Sequence, residues 1–193
     1  MWPFTGGCHY SHGCLKYQTE CNNCHFFSNK FLSNTPKYNF NRKLRIFQKH
    51  PNLAVIAPSS LWVESAKSSA IFRNTKVKHI SNILDECFFV PSNSSGLKRK
   101  VLFGALGGSS NPYKGWSYFV EAINMLDDCY LSEIEVNIFG FESSKEDLAQ
   151  FKCSVNSYGV LISEQEMLEV YSKNDIFVFS SVMESYGQTL HEA

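Results

Sequence analysis

The chain has 193 residues, 44% of them hydrophobic and 19% charged, the composition of a globular protein with one large domain or two small ones. Its 16 Phe, 9 Tyr and 3 Trp supply apolar surface that a disordered chain lacks. Eighteen basic residues cancel 18 acidic ones, so no overall positive field gathers phosphates, and a dedicated nucleic-acid module is excluded. No apolar run approaches the roughly 18 residues of a membrane span. Met1 to Tyr10 lacks the basic-then-apolar shape of a leader, and the expectation is a cytoplasmic protein.

Residues 1–35 carry no clean hydrophobic period, and four of the seven cysteines, Cys8, Cys14, Cys21 and Cys24, fall within 17 residues there. Cys21-Asn22-Asn23-Cys24 is a CxxC, the spacing that lets two thiolates grip one metal ion, and Cys8 and Cys14 complete the count for a tetrahedral site. The C-x5-C-x6-C-x2-C spacing is not a common finger spacing, and His9, His12 and His25 compete as ligands. Two readings therefore stand: a structural zinc on these four cysteines, or a reduced Cys-rich loop without metal. Cys87, Cys129 and Cys153 read as small buried side chains.

Tyr38 to His50 is a basic, aromatic stretch that predicts an exposed helix ending before Pro51. With Lys37, Arg42, Lys43, Arg45 and Lys49 in or beside it, it reads as a solvated face or as a patch for peripheral membrane association. Leu53 to Ala57 is a continuous apolar run, predicting a strand buried on both faces as in parallel sheets. Ser59 or Ser60 caps a helix over Leu61 to Phe72, and Val77 to Ile80 predicts a second strand. Ser92 to Gly96, followed by Lys98-Arg99-Lys100, has the composition of a linker.

Beyond the linker the order is regular. Strands are predicted over Val101 to Leu106, Glu133 to Gly140, Val155 to Leu161 and Asp175 to Ser180. The helix over Gly115 to Leu126 would carry Tyr118, Phe119, Ala122, Ile123 and Leu126 as its apolar stripe. Lys145 to Phe151 predicts a short helix, and Ser163 to Ser172 a helix opened by the capping box Ser163-Glu164-Gln165-Glu166. Alternating strands and helices at this rhythm predict βαβ units and a parallel sheet. Glu184 and Glu192 follow the last strand, where ligands bind in such sheets. Carboxylates there are good acceptors for sugar hydroxyls.

The Glu184-x7-Glu192 pattern, preceded by Val178-Phe179-Ser180-Ser181, resembles the signature of the retaining GT-B glycosyltransferases of family 4 (group 1). Lys114-Gly115-Trp116 is similar to the family's Lys-Gly phosphate-contact motif. Ala57 to Trp62 is similar to its end-of-first-domain strand, and His79 to Asp85 to its crossover segment. Trp2 to Tyr10, with the three later cysteines, resembles a subset associated with extracellular and capsular polysaccharide assembly.

The resemblance implies an α/β fold of GT-B type: parts of two Rossmann-like parallel-sheet domains, both incomplete. Residues 1–95 would be the C-terminal part of the acceptor-side domain, with the Cys-rich loop, and 96–193 the N-terminal part of the nucleotide-sugar domain. It also implies an internal fragment, inactive by itself. A hexosyltransferase of this type takes a sugar from a nucleotide-diphosphate sugar and passes it to a glycan or lipid-linked acceptor, with no divalent metal or other cofactor required. Glu184 would orient the donor sugar as the catalytic residue, and Lys114 would neutralise the leaving diphosphate. Backbone N–H groups around Tyr186, Gly187 and Gln188 would hold that diphosphate, and Glu192 would bind the ribose.

Two departures stand out. No Arg lies between Leu106 and Tyr113 to share the diphosphate charge, and Ser81 and Leu84 replace the usual Pro and Gly of the crossover. Two other classes compete: a zinc-stapled interaction protein, and a nucleotide-binding protein such as a sugar-nucleotide epimerase. The latter is disfavoured because no G-x-G-x-x-G follows a predicted strand.

Overall fold

A computed structural model describes residues 3–8, 10–26, 32, 34–89 and 96–193. The chain forms two compact units, Met1–Asn82 and Ile83–Ala193. The proposed linker lies largely outside the described residues, whereas Phe88 already packs in the second unit, its ring 6.2 Å from that of Tyr171.

In the first unit, helix α1 (Thr35–Lys49) starts with Pro36 in its first turn, where a missing N–H costs nothing. Pro36 and Phe40 are buried, and Phe47 meets Phe72 edge to face at 4.6 Å. Strand β1 (Ala54–Ala57) and strand β2 (Lys76–His79) pair in parallel, with helix α2 (Ser60–Ser68) between them in sequence and packed on both.

The expectation of a strand buried on both faces is corrected here. Ala57 is buried but Ile56 is 63% exposed, because one helix covers one face of a two-stranded sheet. Helix α2 is capped by the Ser59 side chain, which accepts the Trp62 N–H at 3.4 Å. It also stops short of Phe72. Ser69 is extended and fully buried, and its hydroxyl donates to the Phe4 carbonyl at 2.8 Å while accepting the Ile71 N–H at 3.2 Å. A serine that bonds elsewhere competes with helix continuation.

The second unit is a four-stranded parallel sheet with helices on both faces. Its strands are β3 (Arg99–Gly104), β4 (Ile134–Phe139), β5 (Ser154–Ser157) and β6 (Ile176–Val178). Spatially they run β5-β4-β3-β6, every pair parallel. Counted within the unit this is 3-2-1-4, the order of the first four strands of a doubly wound sheet, and the strand order reverses between β3 and β6. Asp175 fixes that junction: its carboxylate accepts the Lys100 N–H at 2.8 Å and its own N–H donates to the Lys100 carbonyl at 3.0 Å.

Alternation along the strands sorts side chains onto two layers. Val101, Phe103, Val136 and Ile138 pack with helix α3 (Trp116–Asn124). Leu102 and Phe139 pack with Val170 of helix α6 (Glu164–Ser172). The second layer also buries Asn137, which donates to Asn174 Oδ1 at 2.8 Å and accepts from Asn156 at 3.2 Å, so the buried amide is satisfied. Helix α6 opens with the expected capping box between Ser163 and Glu166.

The stripe of α3 is shifted from expectation. Trp116, Phe119, Val120 and Ile123 are buried, while Tyr118 is 59% exposed. Trp116 sets the phase, its ring lying 5.4–5.5 Å from Phe103, Phe141 and Phe151. A short helix α4 (Asp128–Glu133), absent from the sequence reading, leads directly into β4 and buries Leu131. Helix α5 (Lys145–Leu148) separates β4 from β5, and helix α7 (Gln188–Glu192) follows β6.

The buried and exposed aromatics of α3 separate by stability. Phe119→Ala should destabilise the second unit by about 3–5 kcal/mol, as large core truncations do. Tyr118→Ala should stay within about 0.5 kcal/mol. Urea midpoints of the two variants check this.

Candidate functional site

The site forms where the loop after β3 meets the loop after β6, at the carboxyl ends of the strands that flank the reversal of strand order. The first loop is built from local turn chemistry. Asn111 closes it, its side chain accepting the Tyr113 N–H at 3.1 Å and its carbonyl the Lys114 N–H at 3.1 Å.

The second loop is stitched to the first. Val182 donates its N–H to the Tyr113 carbonyl at 2.9 Å, and the Ser180 hydroxyl lies 3.3 Å and 3.0 Å from the carbonyls of Lys114 and Gly115. Gly115 has φ +71°, and a Cβ added to it would lie 1.9 Å from the Ser180 carbonyl oxygen. No other residue allows this approach of two backbones.

The stitched loops bring two expected site residues together. Lys114 Nζ donates to Glu184 Oε1 at 2.5 Å across a sequence separation of 70 residues. Both side chains are about three-quarters buried, at 25% and 22% exposure. The pair is therefore partly shielded from water, where charge interactions are stronger than at an open surface.

Gly187, with φ +83°, caps α7, which carries Gln188 and Glu192. Tyr186 stacks on His191 of the same helix, the rings 4.5 Å apart and 6° from parallel. Glu192 is held by a different partner: the Tyr171 hydroxyl donates to its Oε2 at 3.2 Å. Burial, and then the Glu192 carboxylate, push the Tyr171 phenol up from its ordinary value. Together they line a cavity of about 150 Å³ with Phe88, Leu168, Asn174 and Asp175.

The structure brings Lys114 and Glu184 into direct contact, whereas Glu192 is held by Tyr171 and lines a cavity to which neither of them contributes. Sequence reasoning missed Ser180, Val182, Tyr171 and His191. His191 falls inside the Glu184–Glu192 motif as a second ring near Tyr186. Tyr171 lies 21 residues before Glu192 on another helix, and no local pattern signals it.

The expected metal residues belong to the first unit. Cys8, Cys14, Cys21 and Cys24 are all free thiols. Among the described residues no three His, Cys, Asp or Glu side chains stand as a ready-made metal-holding group, and His9 lies outside those residues. The cations of α1 divide their roles. Lys43 turns inward to donate to the Thr5 carbonyl at 2.8 Å, and Lys37 pairs with Glu20 at 3.1 Å. Among the described residues no helix is long and apolar enough to cross a membrane.

Compared with models of known families and with curated proteins, the chain matches none. What fold and site define is an α/β protein with parallel sheets and a charged pair at the switch point of the larger one.

Two variants probe this geometry. Gly115→Ala places a side chain at positive φ and against Ser180, and should cost upwards of about 1–3 kcal/mol, read from the urea midpoint. Tyr171→Phe tests the alkaline limb. The folded phenol ionises above its free value near 10, so its stabilisation is complete below that pH. The stabilisation is lost as pH rises beyond it, because the unfolded chain releases the proton first. Tyr171→Phe should flatten that loss in urea titrations run from about pH 9 to 12.

Proposed function

We propose that the second unit binds the nucleoside diphosphate of a sugar donor, and that the protein is a retaining glycosyltransferase of the GT-B type, family 4. The acceptor would be a glycan or a lipid-linked sugar in polysaccharide biosynthesis. The observation that carries the reading is the Lys114–Glu184 contact at the reversal of strand order. A cation and a carboxylate side by side there match the two ends of a sugar diphosphate: an anionic leaving group and a ring of hydroxyls.

On this reading Lys114 takes the charge that develops on the diphosphate as its bond to the anomeric carbon breaks. Preorganised charge of this kind is effective where water is excluded. Glu184 accepts hydrogen bonds from the sugar hydroxyls and fixes the face on which the acceptor oxygen attacks. The turn at Tyr186, Gly187 and Gln188 borders the diphosphate, and Glu192, held by Tyr171, accepts from the ribose hydroxyls. Without donor, Lys114 and Glu184 neutralise one another, and the donor enters by exchanging that pairing for two new ones. The missing Arg between Leu106 and Tyr113 leaves Lys114 as the principal cation of this clamp.

Calorimetric titration with uridine, guanosine and adenosine diphosphates tests the reading on the chain as it stands. One of them should bind, and Lys114→Met and Glu192→Ala should each weaken it at least about tenfold, or about 1.4 kcal/mol. Binding that neither substitution changes, or binding of none of the three, would sink the proposal.

A further inference from the structure

A cavity of about 370 Å³ opens in the first unit beside helix α1, lined by Gly6, Asn39, Arg42, Lys43 and Ile46. The four helical residues follow one another at spacings of three and four, so they share one face of α1. Gly6 brings the N-terminal segment against the same helix. A Cβ added there would lie 2.3 Å from the Pro36 carbonyl oxygen, so the approach needs glycine.

The polar lining is cationic and lacks a counter-charge. Lys43 is half-buried, and its ammonium donates to the Thr5 carbonyl at 2.8 Å, a neutral partner. Among the described residues Arg42 has no hydrogen bond or ion pair, and no carboxylate lines the cavity. Glu20, the acid that pairs with this helix, is engaged by Lys37 at 3.1 Å. Arg45 bonds back to the Asn41 carbonyl at 3.3 Å and is not part of the lining.

Two cations facing one space repel, and an anion between them turns that repulsion into two attractions. A guanidinium offers a planar fork that matches phosphate or carboxylate oxygens, and an ammonium adds a point charge. A carboxylate balances one of the two cations. A phosphate monoester, which carries nearly two negative charges at neutral pH, balances both. The cavity's volume of about 370 Å³ falls in the roughly 300–1,000 Å³ range of small-molecule sites. It has room for an organic group beside the phosphate, and Ile46 gives that group an apolar wall.

We propose that this cavity binds the phosphate monoester of a small organic ligand, either free or as a lipid headgroup. Arg42 and Lys43 pair with the phosphate oxygens, and the Asn39 side-chain amide donates beside them. The site belongs to the first unit and does not rest on the nucleotide-binding reading of the second.

The test uses the whole chain and has two arms. In the first, glycerol 3-phosphate is titrated by calorimetry, with glycerol as the control that lacks the phosphate. In the second, the chain is sedimented with vesicles of phosphatidylcholine, alone or with phosphatidic acid. Binding of glycerol 3-phosphate marks a free ligand, and binding to the phosphatidic acid vesicles alone marks a headgroup. In whichever arm binds, Arg42→Ala and Arg42→Gln should each weaken it at least about tenfold. Arg45→Ala and Lys114→Met should leave it unchanged. Because Arg42 is exposed and unpaired among the described residues, both of its variants should keep the urea midpoint of the unsubstituted chain. Binding in neither arm would overturn the proposal, as would binding of glycerol or of phosphatidylcholine vesicles to the same degree. So would binding that survives both Arg42 variants. Equal weakening by Arg45→Ala would assign the effect to the basic helix as a whole, and loss in Lys114→Met would assign it to the second unit; either result overturns it too.

Discussion

The backbone contact between Gly115 and Ser180 is what the second unit's site depends on. Parallel strands β3 and β6 end side by side, but their loops would splay apart if each satisfied its polar groups with water alone. The Ser180 hydroxyl on the Lys114 and Gly115 carbonyls, and the Val182 N–H on the Tyr113 carbonyl, hold them together instead. That fastening sets Lys114 opposite Glu184. A side chain at position 115 would occupy the space where the two backbones touch, so the glycine is a requirement of the site's geometry before it is one of chemistry.

Much of the second unit was legible because its signals are local. The capping box at Ser163 needs only residues three apart, and it forms as read. Strand and helix alternation announced the parallel sheet because a buried strand and an amphipathic helix have different periods. The phase of α3 was misjudged for a non-local reason. The stripe over Tyr118, Phe119 and Ile123 is helical in spacing, but Trp116 reaches Phe141 and Phe151 from other segments and rotates the buried face toward itself. Ser69 ends α2 in the same non-local way, since its hydroxyl is engaged by Phe4, 65 residues earlier. No propensity scale records such a partner.

The candidate site shows the same division. Glu184 and Glu192 were visible as a pair by spacing, yet they are bonded to different partners: Lys114 from the loop after β3, and Tyr171 from α6. Spacing could not predict their hydrogen bonds. Lys114 was selected by its Lys-Gly context, and its contact with Glu184 depends on the loop stitching by Ser180 and Val182, a role that the sequence pattern around them does not announce.

Net charge conceals the pairing at the candidate site. Eighteen positive and 18 negative side chains sum to zero, which properly removes long-range steering of polyanions. Local cancellation has a different meaning. Lys114 and Glu184 neutralise each other in a partly buried setting, so neither is left as an unpaired charge that would destabilise the fold. A ligand that offers both an anion and hydroxyl groups can replace each partner in turn, and the desolvation already incurred by the pair is then reused rather than repeated. A simple phosphate would satisfy Lys114 and leave the Glu184 carboxylate without its cation. On the proposed reading the pair would discriminate by composition as well as by charge, and would favour ligands that carry a diphosphate and a polyol on one molecule.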